Sequence, residues 1–255
     1  MNYELIIIIL ASSKNNYELK LKKLQSKYLN TFNNIKYLFA ELNTLNNIEI
    51  NKDHICIEEN DCNSYIEDNN TIYFKNENNK SVSESVRISL SIDYINKKYN
   101  YKYILVTEID TFLNIPLILN YLVKLENNDP IYCGFQNYGY VLNSFLILNR
   151  ISGNILINNY RRHNYLELNS EIIIAQVMVE ANIPYIKPDN LLYGVITDNN
   201  YICKINYLII YYQTFNKYVE LELDNKLLIL KLNNESNNIL NLIYFNYLIK
   251  KFYNI

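Results

Sequence analysis

The chain has 255 residues, enough to bury one substantial core and too few for two large domains. At 49% apolar and 20% charged residues it has the profile of a folded globular protein, which excludes a disordered one. A net charge of −2 with no basic block excludes a nucleic-acid partner held by counterion release.

Residues 4–11, "ELIIIILA", are a continuous apolar run of strand length and predict a fully buried central strand. The run is too short to span a bilayer and lacks a basic lead. Polar "SSKNN" follows. In "YELKLKKLQSKYLNTF", Leu21, Leu24, Tyr28 and Phe32 recur at spacings of three and four, so a helix is expected there. Its "KLKK" cluster, residues 20–23, reads as a solvated face. "IKYLFAEL", 35–42, looks like a second strand, and this βαβ opening implies a parallel sheet.

Residues 43–80 are rich in Asn and acidic groups and read as loops around short strands at "HICIEE" and "TIYF". Ser81 and Glu84 have capping-box spacing, and Ile88, Ile92, Ile95 and Tyr99 form one apolar stripe of a helix. That helix feeds a strand at "YKYILVTEID", followed by a helix in "NIPLILNYLVKLEN" with Pro116 in its first turn. Strands are expected at "IYCGF" and "SFLILN". A helix is expected at 170–182 with Ser170 as N-cap and Glu171 in the first turn. "YVELELDNKLLILKL", 218–232, looks like a hairpin around "DN", and an amphipathic helix near 237–252 closes the chain. The fold class is α/β, a mostly parallel sheet flanked by helices with a small mixed C-terminal region. There are no internal repeats.

Asparagine is the commonest residue, Tyr occurs 26 times, and Gly and Pro only four times each. Asn, Ile, Tyr and Lys have AT-rich codons, so the bias points to an AT-rich genome. A bacterium, a parasite or a large DNA virus would suit. The tyrosines then serve as apolar filler with a polar tip, and Asn can replace Gly in turns because it tolerates positive φ. Cys56, Cys62, Cys133 and Cys203 form no CxxC pair and there are two histidines, so a structural zinc site is not expected and a reduced compartment fits. No run reaches the roughly 18 apolar residues of a membrane span. The expectation is a soluble, cytoplasmic protein without signal peptide or membrane anchor.

One stretch carries chemistry. The apolar run Tyr103-Ile104-Leu105-Val106 ends in two carboxylates, Glu108 and Asp110. If the backbone stays extended, both point to one side. At about 6 Å and an effective dielectric near 20 they repel by roughly 2–3 kcal/mol. A hard divalent cation such as Mg²⁺ or Mn²⁺ removes that cost, prefers oxygen ligands and bridges to substrate phosphates. Ligands of such sheets bind beside the carboxyl ends of strands, where both "SSKNN" and "TEID" lie.

The order of elements, with "YKYILVTEIDTFLNIPLILNYL" at its centre, resembles the GT-A glycosyltransferases, most closely the fringe and β-1,3-galactosyltransferase-like branch. That branch carries an apolar strand, an acidic triplet, then Thr/Ser-Phe and a short helix, as Thr111-Phe112-Leu113-Asn114 do here. The likeness covers most of 4–185, and "SFLILNR" and "NSEIIIAQVMVEANIP" match more loosely. Glu108-Ile109-Asp110 stands where the family has three aspartates, and Glu171 where it has a catalytic aspartate. Neither His54 nor His163 lies near the C-terminus, where the family often supplies a third metal ligand.

The resemblance implies a single GT-A-like domain over 1–255. Its nucleotide-binding half is 1–115, its acceptor half 116–200, and its C-terminal hairpin and helix 201–255. It implies transfer of a sugar from a nucleotide-sugar, a UDP-sugar by analogy, to a hydroxyl of a glycan or glycoprotein. Asp110 and Glu108 would hold Mn²⁺ or Mg²⁺ on the diphosphate. Ala11, Ser12 and Ser13 would line base and ribose, and Arg87 falls near a basic position of the family. Glu171 would act as the base. Two other classes compete. A nucleotidyltransferase usually has a Gly-rich loop after the first strand, which "ASSKNN" lacks. The other is a degenerate transferase fold kept as a binding or structural module.

Overall fold

The computed structural model describes residues 2–11, 16–43, 55–56, 64–68, 70–75, 84–125, 129–137, 139–160, 169–188, 192–197, 200–205, 208–213, 227–233 and 238–254. The first elements are β1 (Asn2–Ala11), α1 (Asn16–Leu29), β2 (Ile35–Asn43), β3 (Ile55–Cys56), β4 (Ser64–Asp68) and β5 (Thr71–Lys75). Then come α2 (Glu84–Lys98), β6 (Asn100–Glu108), β7 (Thr111–Leu113), α3 (Ile115–Val123), β8 (Tyr132–Asn137), β9 (Tyr140–Asn149), α4 (Arg150–Asn159) and α5 (Ser170–Glu180). The last are β10 (Tyr185–Ile186), β11 (Leu192–Thr197), β12 (Asn200–Ile205), β13 (Leu208–Gln213), β14 (Leu227–Asn233) and α6 (Asn238–Tyr253). They gather into two compact units. One comprises Met1–Asn15, Asn33–Glu108 and Asp129–Ile186, the other Asn16–Phe32, Ile109–Asn128 and Lys187–Ile255.

The first unit is built on a sheet of order β10-β8-β9-β6-β1-β2-β5-β4-β3. Its centre, β6-β1-β2-β5, is parallel. Antiparallel pairing begins at β9 on one side and β4 on the other. The all-apolar β1 occupies the middle, as its sequence demands. Leu5 through Ile9 have no exposed surface, and each such side chain contributes about 1.5–3 kcal/mol by burial. Ile6, Ile8 and Leu10 share a core with Leu38 of β2, Ile104 and Val106 of β6, and Ile88, Ile92 and Ile95 of α2. Leu156 of α4 and Ile174, Val177 and Met178 of α5 belong to the same core. From β1 the chain reaches β2 on one side and only later β6 on the other, so the order reverses between β1 and β6.

Helix α4 was not expected from the sequence, and the reason is local. "RISGNILINN" is rich in Ser, Gly and Asn, all weaker helix formers than Ala or Leu. Capping and packing override that. The Asn149 side chain accepts from Ser152 N at 3.1 Å, and Gly153 removes a Cβ that would stand 3.0 Å from Ile92 Cγ2 on α2. Strand β4 was unexpected too. At α5 the cap is Asn169, whose side chain accepts from Glu171 N, and not Ser170. Ser170 is the first helical residue and is buried. Three non-glycine residues have positive φ among the described residues, Asn70, Asn182 and Asn254, and all are asparagine as the composition suggested.

In the second unit the sheet order is β13-β12-β11-β14-β7. Strands β11, β12 and β13 were not expected from the residue pattern. The expected hairpin falls partly on 218–226, outside the described residues. Its second half is β14, whose ladder partners are β11, parallel, and β7, antiparallel. Rings fill this unit: Phe112 of β7 lies 5.8 Å from Tyr28 of α1 and 5.9 Å from Phe245 of α6. Tyr28 stacks on Tyr253 at 5.0 Å and 15°.

Candidate functional site

In the first unit the carboxyl ends of three parallel strands lie side by side. Leu10 of β1 is paired with Glu108 of β6, and Ala11 with Glu41 of β2. Arg87, reached from the first turn of α2, is buried across these ends. Its Nη1 donates to the carbonyls of Ala11 at 3.0 Å and Ala40 at 3.4 Å, and its Nη2 stands 3.6 Å from Glu84 Oε1. Arg87 therefore ties the ends of β1 and β2 together. Glu41 is also buried, at 2% exposure.

Glu84 had been expected to serve a capping box with Ser81, which lies outside the described residues. Its carboxylate is engaged elsewhere. Oε2 accepts from Asn143 Nδ2 at 3.0 Å and from Ser170 Oγ at 3.1 Å, and Asn143 Nδ2 also donates to Ser170 Oγ at 2.5 Å. The backbone N–H of Asn143 donates to Glu171 Oε1 at 3.0 Å. The neighbouring Ser144 accepts from Thr107 Oγ1 at 2.9 Å, which sets this cluster at the carboxyl end of β6. Arg87, Glu84, Asn143, Ser170, Glu171 and Glu108 are thus on one end of the sheet, beside the point where the strand order reverses. The hydroxyl of Tyr132 is pushed up to about 12 by burial first, with the charge of Glu171 adding to the shift. Asn143 carried no signal in the sequence. Nothing in a lone Asn before "SFLILN" separates it from the many others.

In the second unit, Ile109 and Asp110 form a turn that leads into β7. The backbone is not extended through Asp110, so the strand alternation that placed it on the side of Glu108 stops one residue too early. Glu108 and Asp110 are each half-buried, and Asp110 Oδ1 is a buried atom. The turn is held by Gln25 of α1, a residue without exposed surface. Its Nε2 donates to the carbonyls of Ile109 at 3.0 Å and Thr111 at 3.1 Å. A signal for Gln25 did exist: it is a polar residue on the apolar stripe of Leu21 and Tyr28.

Arg150, the last residue of the loosely matching "SFLILNR", lies at the opposite end of the sheet. It donates to Tyr99 O at 2.7 Å and covers the Tyr101 ring at 4.8 Å. Ser12, Ser13, His54 and His163 lie outside the described residues. Among the described residues no three His, Cys, Asp or Glu side chains gather into a metal-binding group. No helix among them is long and apolar enough to cross a membrane. Glu108 and Asp110 each carry hard carboxylate oxygens, the kind that Mg²⁺ and Mn²⁺ prefer.

No family model and no curated protein matches the chain. Among solved structures it is similar to a glycosyltransferase involved in the glycosylation of the major capsid of PBCV-1. The TM-score is 0.49 at 10% identity, over 96% of this chain and 99% of that one. The likeness is too distant to carry function across.

Proposed function

We propose that this chain is a GT-A-type, metal-dependent glycosyltransferase. It moves a sugar from a nucleotide-diphosphate donor, a UDP-sugar, to a hydroxyl of a glycan or glycoprotein acceptor in surface-glycan synthesis. The observation that carries the reading is Glu108 at the carboxyl end of β6, beside the reversal of strand order between β1 and β6, with Asp110 two residues on. The chain keeps the Cα atoms of this pair within about 8 Å of each other. Mn²⁺ or Mg²⁺ held by Asp110 and Glu108 would offset charge developing on the diphosphate leaving group.

The chain's own residues supply the rest. Ala11, its carbonyl bonded by Arg87, lines the base and ribose together with Ser12 and Ser13. Arg87 brings positive charge to the strand ends where the donor's phosphates would sit. Glu171, oriented by the Asn143 N–H, takes the proton of the acceptor hydroxyl.

One observation favours a second reading, a transferase fold retained as a binding or structural module. Arg87 is turned to two backbone carbonyls and Glu84, a structural use of a cation at the strand ends. A screen of nucleotide-sugars for hydrolysis with and without Mn²⁺ separates the two readings. The transferase turns over one donor and is stabilised against heat by UDP with Mn²⁺. No turnover, and no stabilisation by any nucleoside diphosphate, favours the module.

A further inference from the structure

Polar side chains without exposed surface are costly unless bonded, and Gln25 has no exposed surface. Both donor bonds of its amide nitrogen go to the carbonyls that flank Asp110, those of Ile109 and Thr111. Its amide oxygen accepts from the Tyr28 hydroxyl at 3.0 Å. Because carbonyls can only accept, the amide has one possible orientation. Tyr28 stacks on Tyr253, whose hydroxyl donates to Leu113 O at 2.6 Å and accepts from Ile115 N at 2.9 Å. The segment is therefore gripped at 109, 111, 113 and 115 by side chains of α1 and α6. Its one acidic residue, Asp110, is the residue between the two Gln25 bonds.

We propose that Gln25 is a positioning residue for Asp110. Its amide clamps the backbone on both sides of the acidic turn, so that the carboxylate is presented to a divalent cation in one conformation. The inference rests on the metal-binding reading above, and its experiment distinguishes the two. A clamp of this kind acts as an outer-shell partner of a metal ligand, whose loss typically weakens metal affinity about 10–100-fold.

The test uses Gln25→Met, which keeps length and apolar volume and removes both donors, and Tyr28→Phe, which keeps the ring and removes only the hydroxyl orienting the amide. Two quantities are measured. One is hydrogen exchange of the 109–113 amides in metal-free protein. The other is Mn²⁺ affinity in the presence of UDP, followed by the resonance signal of free Mn²⁺. Gln25→Met is expected to speed local exchange and to weaken Mn²⁺ binding about tenfold or more. Tyr28→Phe is expected to have a smaller effect in the same direction. Asn182→Ala, destabilising but remote in sequence from the turn, should change neither quantity, which separates positioning from general loss of stability. Wild-type exchange and Mn²⁺ affinity in Gln25→Met overturn the clamp. If Gln25→Met does not fold, unchanged exchange and affinity in Tyr28→Phe overturn it as well. If wild-type protein binds no Mn²⁺, the metal reading falls and Gln25's role toward the metal falls with it. Faster exchange in the variants would then still establish the clamp on the turn.

Discussion

The backbone N–H of Asn143 donates to a carboxylate oxygen of Glu171, joining the start of α5 to β9 across 3.0 Å. A glutamine at 171 still offers an oxygen to that N–H but cannot take a proton from a hydroxyl. Glu171→Gln is therefore expected to keep donor binding and to melt within about 2 °C of wild type. Turnover should fall at least about 100-fold. Calorimetric donor binding beside steady-state rates checks this, and wild-type turnover removes Glu171 from the base role.

Arg87 spans two strand ends with a planar fork. A lysine keeps the charge but not the simultaneous reach to Ala11, Ala40 and Glu84. Arg87→Lys should cost about 1–3 kcal/mol in urea unfolding, because at least one buried carbonyl loses its donor. An unchanged midpoint would show that these bonds add nothing to stability.

Asn182 has φ of 55° and ends α5 in a Schellman turn, with Ile183 N bonded to Met178 O at 2.9 Å and Asn182 N to Val179 O at 3.0 Å. Asn182→Ala should destabilise by roughly 1 kcal/mol, because the added left-handed strain has no compensating contact. Asn182→Gly should be neutral or slightly stabilising. Thermal melts of the two variants test the sign of each change.

Buried tyrosines set an alkaline limit. Burial pushes Tyr101 up to about 12, with Arg150 pulling it back down, and pushes Tyr132 to about 12. Tyr28 is raised well above its ordinary value, again by burial first. A raised folded value means that the unfolded chain loses its proton first. Stability is therefore complete below about pH 10 and drains away as pH climbs toward 12, by about 3 kcal/mol for each of Tyr101 and Tyr132. Denaturant unfolding repeated across that window should show the fall, and Tyr132→Phe should lessen it.

What the sequence disclosed follows from where the physics is local. An unbroken apolar run has one reading, so β1 and the core of β6 were legible, as were α1, α2 and α6 from their three-and-four spacing. Helix α4 was hidden because Asn149 and tertiary packing, not propensity, hold "RISGNILINN" helical. Carboxylates at a strand end were visible, yet their side could not be read, because the turn at Ile109–Asp110 depends on Gln25, 84 positions away. The same separation concealed Glu84, whose carboxylate is bonded to Asn143 and Ser170, 59 and 86 positions along.

The place of β1 has a consequence for biosynthesis. Its first residues pair with the start of β6, Asn2 beside Asn100, so the strand has no second neighbour until nearly half the polypeptide has left the ribosome. At about 5–20 residues per second that interval lasts several seconds. Throughout it "LIIIIL" presents a bare ladder edge of high β-propensity, uncharged and without proline, the composition that seeds intermolecular zippers. Yield in a recombinant host should therefore be governed by chaperone supply and translation speed more than by the stability of the finished molecule.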